Sequence, residues 1–220
     1  MPQLSFPERL RAGDLLLGTL VQIPHPDVPQ RLARQGFDWL FLDGEHGGYG
    51  PVETSRALAA VAVPCLLRAP SGEPEVLADA AACGAAGLIV PHVDTAAQAE
   101  AAVQAVRGRG LVVVQAESRE AVRHIADISR VPGVDAVFVG PYDLTASLGI
   151  PEQFDHPDFL AALEAIREAC CGTGMPLGIF RMTGAEARAH FHQGFTLLAV
   201  GLDGTLLEAG AKALLADLRS

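Results

Sequence analysis

The chain has 220 residues, half of which are hydrophobic, and it carries a formal net charge of −10 at pH 7. An acidic surface repels phosphate backbones and anionic lipids, so the composition argues against roles in nucleic-acid or membrane-surface binding. No apolar run approaches the roughly 20 residues of a membrane-spanning helix. The N-terminal stretch MPQLSFPERLRAG also lacks the apolar core of a secretory signal.

The cysteine content indicates the cellular compartment, and the lysine content argues against one class of catalysis. The four cysteines, Cys65, Cys83, Cys170 and Cys171, have no C-x-x-C spacing. They are predicted to be free thiols of a cytoplasmic protein. Lys212 is the only lysine, and it falls in the predicted last helix. Because Schiff-base enzymes need a lysine in the active site, imine chemistry is not expected.

Eight short apolar runs of strand type recur along the chain. They span residues 15–21, 39–43, 64–68, 87–91, 111–117, 134–140, 176–180 and 196–201. Segments rich in Ala, Leu and Glu lie between them, and this alternation indicates parallel βαβ units. A long polar loop is predicted between the sixth and seventh runs. Eight units predict an α/β fold of the (βα)8 TIM-barrel type in one domain, residues 1–220. An open doubly wound sheet is the alternative, because periodicity does not reveal closure.

Polar residues follow these runs where the carboxyl ends of barrel strands would meet at one mouth. In chain order they are Asp43, Glu45, His46, Arg68, His92, Asp94, Gln115, Glu117, Gly140, Tyr142 and Asp143. Ordinary structural roles are the alternative: Arg68 as an ion-pair partner of Asp43 or Glu45, and Glu117 as a helix cap. His92 is interpreted as structural. The joint pattern nevertheless favours a site, because four different strands end in ionisable groups.

The chemistry of four of these residues fits enolate formation. Glu117 and Asp143 offer hard oxygen ligands of the kind that Mg²⁺ or Mn²⁺ prefers. An ion held there chelates a 2-oxo acid and stabilises the enolate that forms when a C3 proton leaves. Arg68 is suited to the same oxyanion. His46 is suited to moving the proton, since imidazoles titrate near neutrality.

Several motifs together resemble the metal-dependent (class II) pyruvate aldolases, typified by 4-hydroxy-2-oxoheptanedioate aldolase and 2-dehydro-3-deoxyglucarate aldolase. The matching segments are GFDWLFLDGEHGGYG, LLRAP, ACGAAGLIVPHVDTAAQAE, VVVQAES, VDAVFVGPYDLTASLGIP and GFTLLAVGLDGTLL. They occur in family order over nearly the whole chain. The combination of DGEH, Q-x-E-S and G-P-x-D-L is far more specific than any single motif.

The resemblance implies a barrel of the phosphoenolpyruvate/pyruvate kind, usually a hexamer in which helices pack between subunits. It implies a lyase that reversibly cleaves a 4-hydroxy-2-oxo acid to pyruvate and an aldehyde, with Mg²⁺, Mn²⁺ or Co²⁺ bound. The implied catalytic residues are His46 as general base, Arg68 as the enolate-stabilising group and Asp43 as a group orienting His46 or water. The implied metal ligands are Glu117 and Asp143, and the implied pyruvate contacts are Gln115, Gly140, Tyr142 and Asp143.

Three departures from the family pattern carry expectations of their own. A few dozen residues before the fifth strand are missing and only RGRG, 107–110, remains, which affects subunit contacts and the aldehyde pocket. Ala82 replaces an aspartate tied to the basicity of His46, and the nearest acid is Asp79, so either His46 is a weaker base or another carboxylate assists it. Tyr142 stands where a small residue is common, which favours a small or aromatic aldehyde.

Two other functions remain open on the sequence. One is a related lyase acting on acyl-CoA thioesters of the malyl- or citramalyl-CoA type, although no basic patch for the CoA phosphates is evident. The other is a catalytically impaired barrel that binds a 2-oxo acid without turnover.

Overall fold

Eight parallel strands close into a barrel in the computed structural model, which describes residues 4–219. The predicted domain also contains residues 1–3 and 220, which lie outside the described part. The strands are β1 Leu16–Val21, β2 Trp39–Asp43, β3 Cys65–Arg68, β4 Gly87–Val90, β5 Leu111–Ala116, β6 Ala136–Val139, β7 Leu177–Arg181 and β8 Leu197–Leu202. Each bound lies within two residues of the predicted run. Pairing of β1 with β8 confirms the closed barrel and excludes the open sheet.

Helices surround the strands and fill the connections between them. They are α1 Phe6–Ala12, α2 Asp27–Ala33, α3 Pro51–Ala60, α4 Pro74–Ala81, α5 Ala96–Val106, α6 Arg119–Ile128, α7 Pro141–Ser147, α8 Pro157–Thr173, α9 Gly184–His192 and α10 Asp203–Arg219. The prediction of an irregular loop after β6 was wrong at its start, where α7 forms. Pro141 is pre-organised for a first helical turn, but two turns are too short to give a periodic pattern.

Aromatic rings fill the interior of the barrel. Trp39 stacks on Phe41 at a centroid distance of 6.1 Å, and Phe138 contacts both rings edge-on at 6.3 and 5.7 Å. Phe6 and Leu10 of α1 pack against the same cluster from the amino-terminal side. Packed side chains therefore form the floor of the barrel, and a cavity lined in part by Phe41 and Phe138 lies at the carboxyl ends of the strands.

The last helix does not pack along the barrel as the other outer helices do. From Leu206 onward every described residue of α10 is exposed, including five leucines: Leu206, Leu207, Leu214, Leu215 and Leu218. An apolar groove of about 550 Å³ lies outside β8 and β1, beside α9. Leu15, Leu17, Phe37, Phe191 and Val200 are among the residues that line it. The groove occupies the side of the barrel that an eighth outer helix would cover.

No helix in the described part of the chain is both long and apolar enough to cross a membrane.

Packing of the interior predicts that Gly18→Ala destabilises the barrel by about 1–3 kcal/mol, the usual cost of overpacking a core. A Cβ at this position would lie 2.4 Å from the indole of Trp39, which is fully buried and cannot retreat. Urea denaturation measures the change. The matched control is Gly172→Ala in α8, where a Cβ meets nothing within 4 Å. The control is expected to be stabilising by about 0.5–1 kcal/mol, and equal effects of both variants would contradict the packing argument.

Candidate active site

A buried ion pair joins the ends of β2 and β3. The parallel register places Asp43 opposite Arg68. Arg68 donates from Nε to Asp43 Oδ1 at 2.9 Å and from Nη2 to Asp43 Oδ2 at 2.8 Å. This two-point contact matches the planar fork of the guanidinium and fixes its orientation. The guanidinium carbon also lies 5.4 Å from the centroid of the Phe41 ring, so Arg68 rests on the aromatic floor at the mouth.

The same carboxylate organises the loop that follows β2. Asp43 Oδ1 accepts hydrogen bonds from the backbone N–H groups of Glu45 and His46, each at 3.1 Å. Gln22, which follows β1, donates to Asp43 Oδ2 at 2.9 Å. Burial by itself raises the pKa of Asp43, but the hydrogen bonds and charge of Arg68, with help from Gln22, hold it below its ordinary value. Asp43 is therefore an ionised anchor, and it orients His46 through the backbone.

Glu45, one of the polar residues predicted to follow the second strand, lies at the centre of the site. Its side chain is only 9% exposed. Its carboxylate lies 3.1 Å from Arg68 Nη1 and 3.0 Å from His92 Nε2. The imidazole of His46 is more exposed, with Nε2 at 3.7 Å from Glu45 Oε2. Glu45 is thus the carboxylate nearest to the ring of His46.

Glu117 is a buried carboxylate at the end of β5. Its Oε1 accepts the backbone N–H of His92 at 2.7 Å and lies 3.1 Å from His92 Nδ1. Its Oε2 accepts from the side-chain amide of Gln115. Burial raises the pKa of Glu117 to about 7, with the contacts to His92 opposing the rise and the charge of Asp143 adding to it. Glu117 does not cap α6, because the Ser118 hydroxyl accepts the N–H of Ala121 there.

The residues after β6 bring the remaining predicted groups to the mouth. Asp143 lies in the first turn of α7 and is half-buried. Gly140 is required beside Glu117, because a Cβ there would lie 2.6 Å from Gln115 Nε2 and 2.9 Å from Glu117 Oε2. Tyr142 packs edge-on against Phe154 at a centroid distance of 5.1 Å. The turn into α7 therefore approaches the end of β5 as closely as backbone allows.

One cavity of about 370 Å³ opens at this mouth. Its lining contains six of the predicted site residues: His46, Arg68, Gln115, Gly140, Tyr142 and Asp143. Asp43 and Glu117 do not line it but support Arg68 and Gln115 from behind. The rest of the wall is largely apolar and comprises Leu20, Gln22, Phe41, Phe138, Pro141, Phe180, Met182 and Leu202. Asp94 is not part of the wall, and it accepts the hydroxyl of Ser118.

Sequence reasoning missed two residues of this site. His92 was interpreted as structural, yet its ring lies between Glu45 and Glu117. Gln22 was overlooked although it directly follows β1, so reading the end of the first strand as the others were read would have found it. The backbone of Gln22 is itself held by Asp203, whose Oδ2 accepts its N–H at 3.1 Å.

Ala82 lies far from the mouth. It caps the carboxyl end of α4, and in a βα unit this end of the helix faces the amino-terminal side of the barrel. An aspartate at this position would therefore not reach His46 of the same chain. Within one chain, Glu45 is the acid placed to act on that imidazole.

Comparison with known proteins gives a consistent result over nearly the full chain. The family described as HpcH/HpaI aldolase/citrate lyase matches residues 18–209. A hydroxypyruvate/pyruvate aldolase of Sagittula stellata is 32% identical over 245 aligned residues, covering 97% of each chain. A 4-hydroxy-2-oxo-heptane-1,7-dioate aldolase of Salmonella dublin is 32% identical and covers 96% of this chain and 93% of its own. The alignments are longer than this chain, in agreement with its missing segment.

Comparison of the fold with solved structures agrees with the sequence comparison. The crystal structure of an HpcH/HpaI aldolase/citrate lyase family protein from Burkholderia cenocepacia J2315 superimposes with a TM-score of 0.93 at 28% identity. The match covers 97% of this chain and 98% of that one.

The buried pair predicts that Asp43→Asn costs about 3–5 kcal/mol of unfolding free energy at pH 7, since it leaves the Arg68 charge partly uncompensated. Because the pKa of Asp43 is held below its ordinary value, this contribution is present above that ordinary value and is lost as the pH falls through the lower, folded-state pKa. The difference between wild type and variant should therefore shrink below about pH 4. Urea denaturation across this pH range measures it. Asp127→Asn, whose side chain is 73% exposed, is the control, with an expected change below about 0.5 kcal/mol.

Proposed function

Because the chain belongs to the HpcH/HpaI aldolase/citrate lyase family, we propose that it is an aldolase that reversibly cleaves a 4-hydroxy-2-oxo acid to pyruvate and an aldehyde. The observation that carries the proposal is the cavity in which Arg68, Gln115 and Asp143 face His46. The cationic Arg68 suits the oxyanion of a 2-oxo acid, and Asp143 suits a divalent ion that would bind the same acid. The accessible imidazole of His46 suits the hydroxyl group that must lose its proton.

Arg68 retains donors for substrate. A guanidinium has five N–H groups, and three of them are engaged by Asp43 and Glu45, so two remain. The ion pairs and the ring of Phe41 hold those two in a fixed direction before substrate arrives. Preorganised donors of this kind stabilise negative charge that develops on a substrate oxygen without the cost of reorientation.

The residues around Glu117 fit a divalent cation. The candidate ligands Glu117 and Asp143 supply carboxylate oxygens, which are the ligands that Mg²⁺ and Mn²⁺ prefer. Gln115 Oε1 beside them is buried and has no hydrogen-bond partner among the described residues. Within residues 4–219 no three His, Cys, Asp or Glu side chains form a metal-holding group. Two carboxylates with water and substrate oxygens would therefore complete the coordination, around Mg²⁺, Mn²⁺ or Co²⁺.

In the proposed cleavage step, the ion and each of the side chains His46, Arg68 and Glu45 have one role. Glu117 and Asp143 would hold the divalent ion, which would supply a Lewis acid that lowers the energy of the enolate. His46 accepts the proton of the 4-hydroxyl, the C3–C4 bond breaks, and its electron pair forms the enolate of pyruvate while C4 becomes the aldehyde carbon. Arg68 donates to the developing oxyanion. Protonation of C3 then releases pyruvate, and Glu45 is placed to stabilise the imidazolium of His46.

The apolar and aromatic wall of the cavity suits a small or aromatic aldehyde as the second product. Tyr142, Phe180 and Met182 line one side of it, with Leu20 and Leu202 beside them. Arg68 is the only Arg or Lys among the described lining residues, and its charge is already paired. A CoA thioester, whose phosphates need several cations, is therefore a poorer fit.

The exposed apolar surface of the last helix supports the proposal that the protein forms a homo-oligomer, either a hexamer or a smaller assembly. We infer that α10 of one chain packs into the apolar groove of another. The five exposed leucines of α10 and the leucine- and phenylalanine-lined groove are complementary, and each chain carries both surfaces. Burial of such surfaces is the usual driving force of association. A cytoplasmic location is proposed from the four free cysteines of the described part.

Exchange of the pyruvate methyl protons with D₂O, followed by NMR, tests the enolate chemistry. Exchange is expected with Mn²⁺ or Mg²⁺ and should stop when the ion is chelated. His46→Ala and Glu117→Gln are expected to slow it by 100-fold or more, the scale of a lost acid–base or charge-stabilising group. His25→Ala, an exposed histidine outside the cavity wall, should exchange as the wild type does. Oxalate binding without exchange would instead favour the impaired, oxo-acid-binding barrel.

Light scattering after size exclusion tests the assembly. Replacement of Leu207 and Leu214 by Glu places two charges on the apolar face of α10 and is expected to yield a smaller particle, because buried unpaired charges are costly. Replacement of Glu208 and Lys212 by Gln changes the same helix without removing apolar surface and should leave the mass unchanged. A wild-type mass in the leucine variant would contradict the inferred contact.

A further inference from the structure

His92 adopts a backbone conformation that its surroundings must maintain. Its φ of +56° lies in the left-handed region, which among the described non-glycine residues is shared only by Arg107 and Glu152. Side chains with a Cβ disfavour this region, so strain of this kind persists only where neighbouring contacts hold it, often beside a functional site. Here the contacts are those of the peptide N–H and of the ring.

The backbone and the ring of His92 bind the same carboxylate. The N–H donates to Glu117 Oε1 at 2.7 Å, and ring Nδ1 lies 3.1 Å from that oxygen. Ring Nε2 lies 3.0 Å from Glu45 Oε1. The imidazole therefore bridges two carboxylates, with one nitrogen directed at each.

The bridge connects two groups of residues of the site by contacts of one side chain. Glu45 belongs to the cluster built on Asp43 and Arg68, whereas Glu117 contacts Gln115 and lies near Asp143. Without the ring, Glu117 Oε1 would keep only the backbone N–H. The two carboxylates would also face each other as like charges. Groups that hold a ligand carboxylate by hydrogen bonds orient it toward its ion.

We propose that His92 is a positioning residue that ties Glu117 to Glu45 and thereby holds the metal-binding carboxylate in its ligating orientation. This rests on the proposed function, which makes Glu117 a ligand. His92 is not among the lining residues of the cavity, and its proposed role is exerted through Glu117. Nothing in the residue type or its place in the sequence indicated this role, which depends on three elements meeting at the mouth.

Mn²⁺ affinity, measured by titration calorimetry and by the electron paramagnetic resonance of free Mn²⁺, tests the proposal. His92→Ala and His92→Gly are expected to bind Mn²⁺ about 10- to 100-fold more weakly, the range for loss of a group that orients a ligand. Glycine accepts a positive φ without strain, so His92→Gly keeps the backbone contact and removes only the ring. Raising the Mn²⁺ concentration should restore much of the pyruvate methyl-proton exchange that both variants lose at limiting Mn²⁺.

Two further variants separate positioning from general disruption. His92→Gln donates to one carboxylate but cannot bridge both, so its affinity should lie between those of wild type and His92→Ala. Glu45→Gln combined with His92→Ala should weaken Mn²⁺ binding less than the product of the single effects, because both changes break the same link. His25→Ala should bind as the wild type does.

Wild-type or tighter Mn²⁺ affinity in both His92→Ala and His92→Gly would overturn the proposal. It would do so while leaving the proposed function intact, provided that Glu117→Gln abolishes Mn²⁺ binding. Wild-type affinity in Glu117→Gln would overturn both, because Glu117 would then not be a ligand.

Discussion

The buried pair of Asp43 and Arg68 is the contact on which the mouth of the barrel depends. Parallel pairing of β2 with β3 puts the two residues side by side, out of water, where neither charge is tolerable alone. Each then recruits further groups: Asp43 holds Gln22 and the loop to His46, and Arg68 holds Glu45. A buried ion pair is weak evidence of net stability. Its clear effect here is to fix directions, including those of the two guanidinium N–H groups that Asp43 and Glu45 do not engage.

Packing below and beside this pair decides where chemistry is possible. Because Trp39, Phe41 and Phe138 fill the interior, the cavity is confined to the strand ends. The short α7 then brings Asp143 to the edge of the cavity, and Gly140 allows close approach to Glu117. The cavity between this floor and the rim is lined by Asp143 and Gln115 as well as by the imidazole of His46. On the outside, α10 and the groove by β8 leave apolar surface exposed within one chain.

Much of this arrangement could be predicted from the sequence because barrel strands have a strong local signal. Continuous apolar runs located all eight strands within two residues, and the rule that strand ends meet selected Asp43, Arg68, Gln115, Glu117 and Asp143. The alternative in which Arg68 pairs with Asp43 or Glu45 was also correct, since it binds both. Pairing and a catalytic role are compatible, because a guanidinium has more donors than the two acids use.

The sequence by itself determined the number and order of the βα units and the set of polar residues at the mouth. Both depend on patterns only a few residues long. Tertiary structure decided which of those residues touch: His92 bridges Glu45 and Glu117, and Ser118 rather than Glu117 caps α6. It also placed Ala82 at the end of the barrel away from His46 of the same chain. It also decided that α10 leaves the barrel. These outcomes depend on side-chain directions and distances between strands far apart in the chain, which no local pattern encodes.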